Sequence, residues 1–387
     1  MMPNKSTDVW ALADCDSFFA SCEVARNPAL QGKEVCICRD NDIVIACTYE
    51  AKKKWVGTWT PSREAKRMLS KDAVYLKPDM GYYGRVSANV FSCLSEYVQE
   101  LEMFSIDEAF VTLPPFAECD EISYELYTLF IQNKLLKRTG IPVTFWVAPT
   151  RLLAKTFAKL RKPYGVYVGL EESTIERTLS KLELTKTPFI GERMASRLPQ
   201  CRTMVDFMRT DGVLVRDRMW RSGLKLWLEL HGVNALQIER QWPQTVISRC
   251  RSFHPNFTSD KQLLWEYLLK NFEKSYKQLM DQELSVRYLK VFMRTKDFKR
   301  YRSKQRLPRA TADKDILLKT IKELFDECYQ SGVSFRQTGI ILSELETSRY
   351  KQYSVLYQEE EKQLEKQKVV YQVIENINKK WGKIIVR

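Results

Sequence analysis

The stretch covering residues 101–113 constrains the fold most, because it places two carboxylates between hydrophobic runs that favour strands. Read as LEMFSIDEAFVTL, it carries Asp107 and Glu108 side by side, with no basic residue next to them. Unpaired carboxylates are costly to bury, and adjacent side chains of a regular strand point to opposite faces. The pair can therefore serve one site only at a hairpin tip or a strand end. The alternative is a solvated turn between strands.

A second acidic segment, near the N-terminus, offers a matching half-site. The apolar run WALA (residues 10–13) predicts a core strand that delivers Asp14, Cys15 and Asp16 just before the helical start FFASCE. Carboxylates from a strand end and a neighbouring hairpin would form an oxygen-only site, which Mg²⁺ prefers. Two such ions would clamp the attacking and leaving oxygens of a phosphoryl transfer.

The two segments together resemble a known family. DCDSFFASCE (residues 14–23) and SIDEAF (residues 105–110) are similar, in this order, to the signature motifs of the Y-family translesion DNA polymerases, and the flanking text is closest to the UmuC-type branch. The resemblance implies that Asp14, Asp107 and Glu108 are catalytic and bind two Mg²⁺ ions, with the Cys15 carbonyl as a further metal ligand. Asp16 is left as a metal ligand or a structural hydrogen-bond partner.

The resemblance also implies a fold class and a domain plan. The fold is α+β, a right-hand polymerase with a split βαβ palm, small fingers, a helical thumb with a helix-hairpin-helix, and an α/β little finger. The expected boundaries are residues 1–25 and 83–175 for the palm, 26–82 for the fingers, 176–236 for the thumb, 237–244 for a linker, 245–350 for the little finger and 351–387 for a C-terminal tail.

Five residues are expected around the incoming nucleotide. The resemblance makes Phe19 the steric gate that excludes a 2′-hydroxyl, with Phe18 lining the same pocket, and assigns the triphosphate to Tyr49, Lys52 and Lys162. Lys52 stands where many relatives have arginine, so it contributes a point charge instead of a bidentate fork. From the residues alone, the phenylalanines could be core aromatics, and a lysine near a helix C-terminus could be a dipole partner.

Two regions are predicted to bind DNA. The formal charge of +14, from 62 Lys and Arg against 48 Asp and Glu, indicates a polyanionic partner, either nucleic acid or an acidic membrane surface. PFIGERMASRL (residues 188–198) resembles a helix-hairpin-helix in which Gly191 lets backbone amides approach a phosphate, although a plain turn is the alternative. The basic run at residues 294–309 predicts a strand and loop along a phosphate backbone, through Arg294, Lys296, Lys299, Arg300, Arg302, Lys304 and Arg306.

The C-terminal tail contains QYSVLY, in which Gln352, Leu356 and Tyr357 resemble the peptide that bacterial polymerases insert into the sliding clamp. The expected partners are thus primer–template DNA, a dNTP, the sliding clamp and a UmuD-like accessory subunit, in a DNA-damage (SOS) response. No membrane partner is expected, since no apolar run approaches the roughly 20 residues of a bilayer span. The ten cysteines lack zinc or redox spacing, which favours reduced thiols and a cytoplasmic location.

The sequence therefore predicts a DNA-templated DNA polymerase of low fidelity that carries out translesion synthesis. Two alternatives from other classes stay open at this point. A two-metal nuclease would use the same acids without needing Phe19 or the triphosphate lysines. A non-catalytic DNA- or clamp-binding relative would keep the basic run and the tail peptide but could lose the acids.

Overall fold

The computed structural model describes residues 8–39, 43–116, 120–158, 160–236, 245–253 and 257–347, together with Val373 alone. The chain divides into two compact units, Met1–Arg240 and Gln241–Arg387. This division falls within the predicted linker, whose residues 237–244 lie outside the described part of the chain. Among the described residues, no helix combines the length and the apolarity that a bilayer crossing requires.

The first unit alternates strands and helices. Its elements, in chain order, are β1 (Val9–Cys15), α1 (Phe18–Arg26), β2 (Val35–Arg39), β3 (Ile43–Cys47), α2 (Tyr49–Lys53), α3 (Ser62–Met68), β4 (Val74–Leu76), α4 (Met80–Ser95), β5 (Glu100–Met103), β6 (Glu108–Leu113), α5 (Glu121–Thr139), β7 (Val143–Ala148), α6 (Arg151–Thr156), β8 (Val166–Val168), α7 (Glu172–Leu179), α8 (Glu192–Ala195), α9 (Met204–Arg209) and α10 (Gly212–Leu230), which is interrupted at Trp220.

The central sheet of this unit has the strand order β5-β6-β1-β7-β8, with β1 antiparallel to both of its neighbours. Trp10 and Leu12 of β1 pack on one face with α6 and the helices after β8. Ala11 and Ala13 pack on the other face with α4 and α5. A strand covered on both faces is apolar at every position, which explains the uninterrupted WALA run.

A smaller sheet, in the order β3-β2-β4, lies within the predicted fingers. Its apolar residues form compact cores with α2 and α3 on one side and with α1 on the other, through Cys36, Val44 and Ala51 in the first case and Ala20 and Ile37 in the second. The chain enters α4 from this sheet four residues earlier than the apolar period at 84–99 indicates. The reason is Asp79, whose side chain caps the helix by accepting a hydrogen bond from the Tyr82 amide.

The second unit is an antiparallel sheet with helices packed against one face. Its elements are β9 (Val246–Ser252), α11 (Lys261–Asp281), β10 (Leu284–Thr295), β11 (Arg300–Thr311), α12 (Lys314–Cys328) and β12 (Phe335–Thr347), and the strand order is β11-β10-β12-β9. Leu289, Val291 and Met293 alternate along β10 into a core with the helices. With this period-2 burial, the two described helices of the unit pack on the same face of the sheet, and the α+β prediction is confirmed in both units.

Candidate active site

The sheet register brings the predicted acids together. Asp14, at the end of β1, lies opposite Glu108, the first residue of β6. The amide of Cys15 donates to the carbonyl of Asp107 over 2.8 Å, and Asp107 occupies the turn between β5 and β6, where it accepts a hydrogen bond from the Ser105 hydroxyl. The pair Asp107-Glu108 therefore stands at a hairpin end, as the sequence predicts.

Two lysines from distant parts of the chain neutralise these acids. Lys162 Nζ lies 2.5 Å from Asp14 Oδ1, and the two residues are 148 positions apart in sequence. Lys155 Nζ lies 2.6 Å from both carboxylate oxygens of Glu108, across 47 positions. The sequence shows no basic residue beside the acids, so it is the tertiary structure that supplies the counter-charges.

Burial and this pairing set the protonation of the acids. Burial raises the pKa of Asp14 to about 7, against the opposing effect of Lys162. Burial alone would also raise the pKa of Glu108, but hydrogen bonds from Asp14 and Lys155 outweigh it and hold that pKa below its ordinary value. The pKa values of the two neighbouring carboxyl groups are thus shifted in opposite directions, upward for Asp14 and downward for Glu108.

The donor set fits a hard divalent cation. Asp14, Cys15 and Asp107 line one cleft, and carboxylate and carbonyl oxygens are the ligands that Mg²⁺ prefers. Within the described residues, no three acidic, histidine or cysteine side chains already converge in a metal-ligating arrangement. The ammonium groups of Lys155 and Lys162 stand against the carboxylates instead, which indicates that the site requires positive charge.

Asp16 has a structural role that the sequence left open. Its side chain is 1% exposed and accepts hydrogen bonds from the Tyr49 hydroxyl (3.0 Å), the Thr144 hydroxyl (2.7 Å) and the Tyr164 amide (2.8 Å). Burial, followed by the charge of Asp16, raises the pKa of the Tyr49 phenol. Asp16 therefore ties β1, β7 and α2 together and fixes Tyr49 at the edge of the site.

The cleft joins the central sheet to the small sheet. It is lined by Asp14, Cys15, Ser17, Phe18, Phe19, Ile45, Ala46, Cys47, Lys52, Thr58, Asp107 and Lys162. Phe19 stacks on Tyr83, with ring centroids 4.7 Å apart and planes 16° apart, and the Tyr83 hydroxyl donates to buried Glu23. Phe18 is buried beneath its neighbour, so both aromatic rings have fixed positions in the wall of the cleft.

Tyr49, Lys52 and Lys162 meet on one side of the acids. Lys52 Nζ donates to the Ser17 hydroxyl over 2.7 Å and lies 4.2 Å from the centre of the Tyr49 ring. Lys162 Nζ lies 3.8 Å from Asp16, which also binds Tyr49. The structure thus brings together the three residues that the resemblance assigns to a triphosphate.

Helix α6 carries two cations that sequence reasoning did not assign to the site. Arg151 forms a buried ion pair with Glu102 of β5 (2.7 Å) and lies 3.4 Å from the centre of the Trp10 ring. Lys155, one helical turn later, pairs with Glu108 of β6. The signal was the i, i+4 spacing of two cations on a helix against two acids of one hairpin. This spacing can be interpreted only when α6 is known to pack on that hairpin.

The predicted helix-hairpin-helix has an unexpected left-handed residue. Gly191 precedes α8 with φ −89°, and an added Cβ there would meet no atom within 4 Å. Phe189, two residues before Gly191, has φ +68° and is half exposed. The backbone thus keeps a conformation that favours glycine although the side chain is aromatic. The DNA-binding role of Gly191 stays a prediction.

The predicted basic run forms the β10–β11 hairpin of the second unit. Arg300, Arg302, Lys304 and Arg306 are exposed at alternate positions of β11, the edge strand. Across the ladder, Arg294 faces Arg300 and Lys290 faces Lys304, and like charges opposite each other are destabilising in a sheet. Lys296 and Lys299 lie in or next to the turn between the strands. Gln352, Leu356 and Tyr357 lie outside the described residues.

Family models and relatives agree with this geometry. Residues 13–159 match the model of the impB/mucB/samB family, and residues 244–355 match the model of its C-terminal domain. The DNA polymerase IV of a Bacillus cereus strain is 25% identical over 95% of this chain and 89% of its own length. The DNA polymerase IV of Methanoculleus marisnigri is 27% identical over 88% of this chain and 96% of its own length. That of Saccharolobus solfataricus is 34% identical over 48% of this chain and 53% of its own length.

Solved structures share the fold. A Y-family DNA polymerase chimera of Dbh and Dpo4 has a TM-score of 0.71 at 23% identity, covering 88% of this chain and 99% of its own. An insertion ternary complex of Dbh DNA polymerase has a TM-score of 0.51 at 21% identity with the same coverage. The relatives are named DNA polymerase IV, so the UmuC-type branch stays a prediction. The family models, the relatives and the fold together show that the chain belongs to the Y-family of translesion, DNA-directed DNA polymerases.

Proposed function

We propose that Asp14, Asp107 and Glu108 bind two Mg²⁺ ions, with the Cys15 carbonyl as a further ligand, and that the chain transfers nucleotides from dNTPs to a primer 3′-hydroxyl on a DNA template. The observation that carries the proposal is the cleft, in which Asp14 and Asp107 adjoin Phe19, Lys52 and Lys162. Glu108 lies opposite Asp14 in the sheet. When bound, such ions lower the pKa of the attacking hydroxyl and neutralise the leaving pyrophosphate.

The lysines of the site exchange partners in this proposal. Lys162 and Lys155 pair with the carboxylates of Asp14 and Glu108, and cations bound at the same carboxylates would take over this pairing. Lys162 can then turn towards a triphosphate together with Lys52 and Tyr49, which already lie on its side of the cleft. Counter-charge for Asp14 and Glu108 is thus present at each stage, so neither of these two carboxylates is left without a partner.

The walls of the cleft support selection of deoxyribose over ribose and weak selection on the shape of the base pair. Phe19 is fixed between Phe18 and Tyr83, so it cannot move aside for a 2′-hydroxyl, which is the requirement for a steric gate. Ile45, Ala46 and Cys47 also line the cleft, with small or aliphatic side chains. Such a wall exerts little shape selection on a base pair, which agrees with low fidelity.

The remaining assignments rest on charge and on the motifs. The basic hairpin and Gly191 bind the phosphates of primer–template DNA, while Gln352, Leu356 and Tyr357 bind the sliding clamp, and a UmuD-like subunit assists. The palm, fingers, thumb, linker, little finger and tail keep their predicted boundaries. A cytoplasmic location is supported by free cysteines, buried at eight of the nine described positions.

Primer extension tests the proposal. Labelled primer on undamaged and abasic templates should lengthen with dNTPs and Mg²⁺, and should stay unchanged with EDTA. Shortening of the primer without dNTPs would indicate a nuclease instead. DNA binding without any change of primer length would indicate a non-catalytic relative. Neither alternative is favoured, because the relatives that span this chain are named DNA polymerase IV. The cleft also contains Lys52 and Lys162, which the proposal assigns to a triphosphate.

A further inference from the structure

Two tryptophans of the fingers project into solvent. Trp55 is 86% exposed and Trp59 is 73% exposed, which makes them the most exposed large hydrophobic side chains among the described residues. Both also have left-handed backbones, with φ of +65° and +76°. Glycine adopts this conformation without strain and tryptophan does not, so each position is unfavourable in its backbone as well as in its solvation.

The loop that carries them is held firmly by its backbone. After α2, the Trp55 amide donates to the Lys52 carbonyl and the Val56 amide to the Ala51 carbonyl, which together form a Schellman motif with tryptophan at the usual glycine position. The Trp59 amide donates to the Val44 carbonyl of β3 over 2.8 Å. Val56 is buried. The indoles are therefore carried by a loop that backbone hydrogen bonds hold in place.

The loop adjoins the cleft and is basic. Thr58, next to Trp59, lines the cleft together with Ile45 of β3 and Lys52 of α2. Residues 49–71 contain seven lysines and arginines against two glutamates. An apolar protein surface would find no charge complement here, whereas a polyanion with planar rings would match both the charge and the indoles.

We propose that Trp55 and Trp59 form a stacking platform for the unpaired bases of the template strand on its way into the cleft. The proposal rests on the proposed function and adds a binding site for single-stranded DNA to it. Indoles stack on bases of any sequence, and neighbouring lysines neutralise the phosphates between them. The platform would hold the template ahead of the reacting base without reading its sequence, as copying of damaged templates requires.

The test compares primer–templates of identical duplex that differ in the 5′ template extension. One has a single templating nucleotide, the second has ten normal nucleotides, and the third has the same ten phosphates with nine abasic sites beyond the templating base. Binding is measured by fluorescence anisotropy and extension by single-nucleotide insertion. The main variant is Trp55→Gly with Trp59→Gly, because glycine suits both backbones and should leave the fold intact.

We expect the parent to prefer the normal long extension, and the double glycine variant to lose about tenfold in affinity for it. Affinity for the one-nucleotide and abasic substrates should change less than about twofold. Trp55→Phe with Trp59→Phe should restore most of the preference. Trp220→Gly, which removes a 68% exposed, left-handed tryptophan outside the fingers, should leave the preference for the long extension unchanged.

Equal affinity of parent and glycine variant for the normal long extension would overturn the platform. So would an equal loss on all three substrates, which would mean that the tryptophans act on the duplex, on the fold or on a protein partner. A parent that binds the long extension preferentially but never extends a primer would refute the proposed function while leaving the platform supported. The two failures are therefore distinguishable.

Discussion

The acidic cleft and the basic hairpin show two opposite ways in which this protein uses charge. At the cleft, the partly buried acids Asp14 of β1 and Glu108 of β6 are matched one to one by lysines within 2.6 Å. In the hairpin, exposed cations repeat along one edge strand and face one another across the ladder. The effect of a charge at the cleft depends on the position of single atoms. In the hairpin, by contrast, the effect depends on the total charge of the exposed cations. A substitution should therefore be nearly all-or-none in the first region and graded in the second.

The largest effect is expected for Asp107→Asn in the cleft. It keeps the shape of the side chain and removes the negative charge, so extension should fall by about 1,000-fold or more. DNA affinity, measured by anisotropy, should change less than about twofold. The control is Asp72→Asn, at an exposed aspartate of the fingers. If Asp107→Asn extended primers at the rate of this control, Asp107 would not be a ligand of the proposed metal site.

Phe19→Ala should have the next largest effect, and this effect should be confined to the selectivity for dNTP over rNTP. Removing the ring that is stacked on Tyr83 should narrow the ratio of kcat/KM for dNTP over rNTP by about 100-fold, because the clash with the 2′-hydroxyl is the rejecting element. The ratio is measured on one preparation, so any loss of folded protein cancels. An unchanged ratio would place the sugar elsewhere in the cleft.

Lys155→Met should reveal the counter-charge role of a lysine in the metal-free site. Glu108 and Lys155 are each 17% exposed, so leaving the glutamate unpaired should lower the melting temperature by about 4 °C without metal. Mg²⁺ should restore much of this loss, because the cation would then neutralise Glu108. Lys137→Met, on the exposed face of α5, serves as the control. A loss that Mg²⁺ does not reduce would mean that Lys155 acts only in packing.

Single substitutions in the hairpin should have the smallest effects. Arg302→Ala should lower duplex affinity only a few fold and reduce the slope of log K against log salt by about 0.9, one phosphate contact. Arg306→Ala should do less, since Arg306 already pairs with Glu344 over 2.8 Å. A loss of more than about 100-fold from either variant would contradict the additive description of this region.

The local features of both regions could be predicted from the sequence. The apolar run of the core strand, the acids at a strand end and the density of cations at residues 294–309 depend on neighbours within a few residues, so the sequence itself shows them. The roles of Asp16 and Arg151 could not be predicted in this way. Asp16 meets Thr144 and Tyr164 across the sheet, and nothing near it in sequence indicates which partners it will have.

The acidic motifs and the basic run at residues 294–309 could be recognised from the sequence alone, because each consists of contiguous residues. The motifs carried the Y-family resemblance, and the resemblance implied the α+β class. Three further features emerge only from the folded chain: Lys162 and Lys155 neutralise Asp14 and Glu108, Phe19 stacks on Tyr83, and Trp55 and Trp59 face solvent beside the cleft. These contacts join residues tens of positions apart or depend on which side of a loop is covered. Strand register and packing fix these long-range contacts and the covered side of the loop, and no local sequence pattern encodes register or packing.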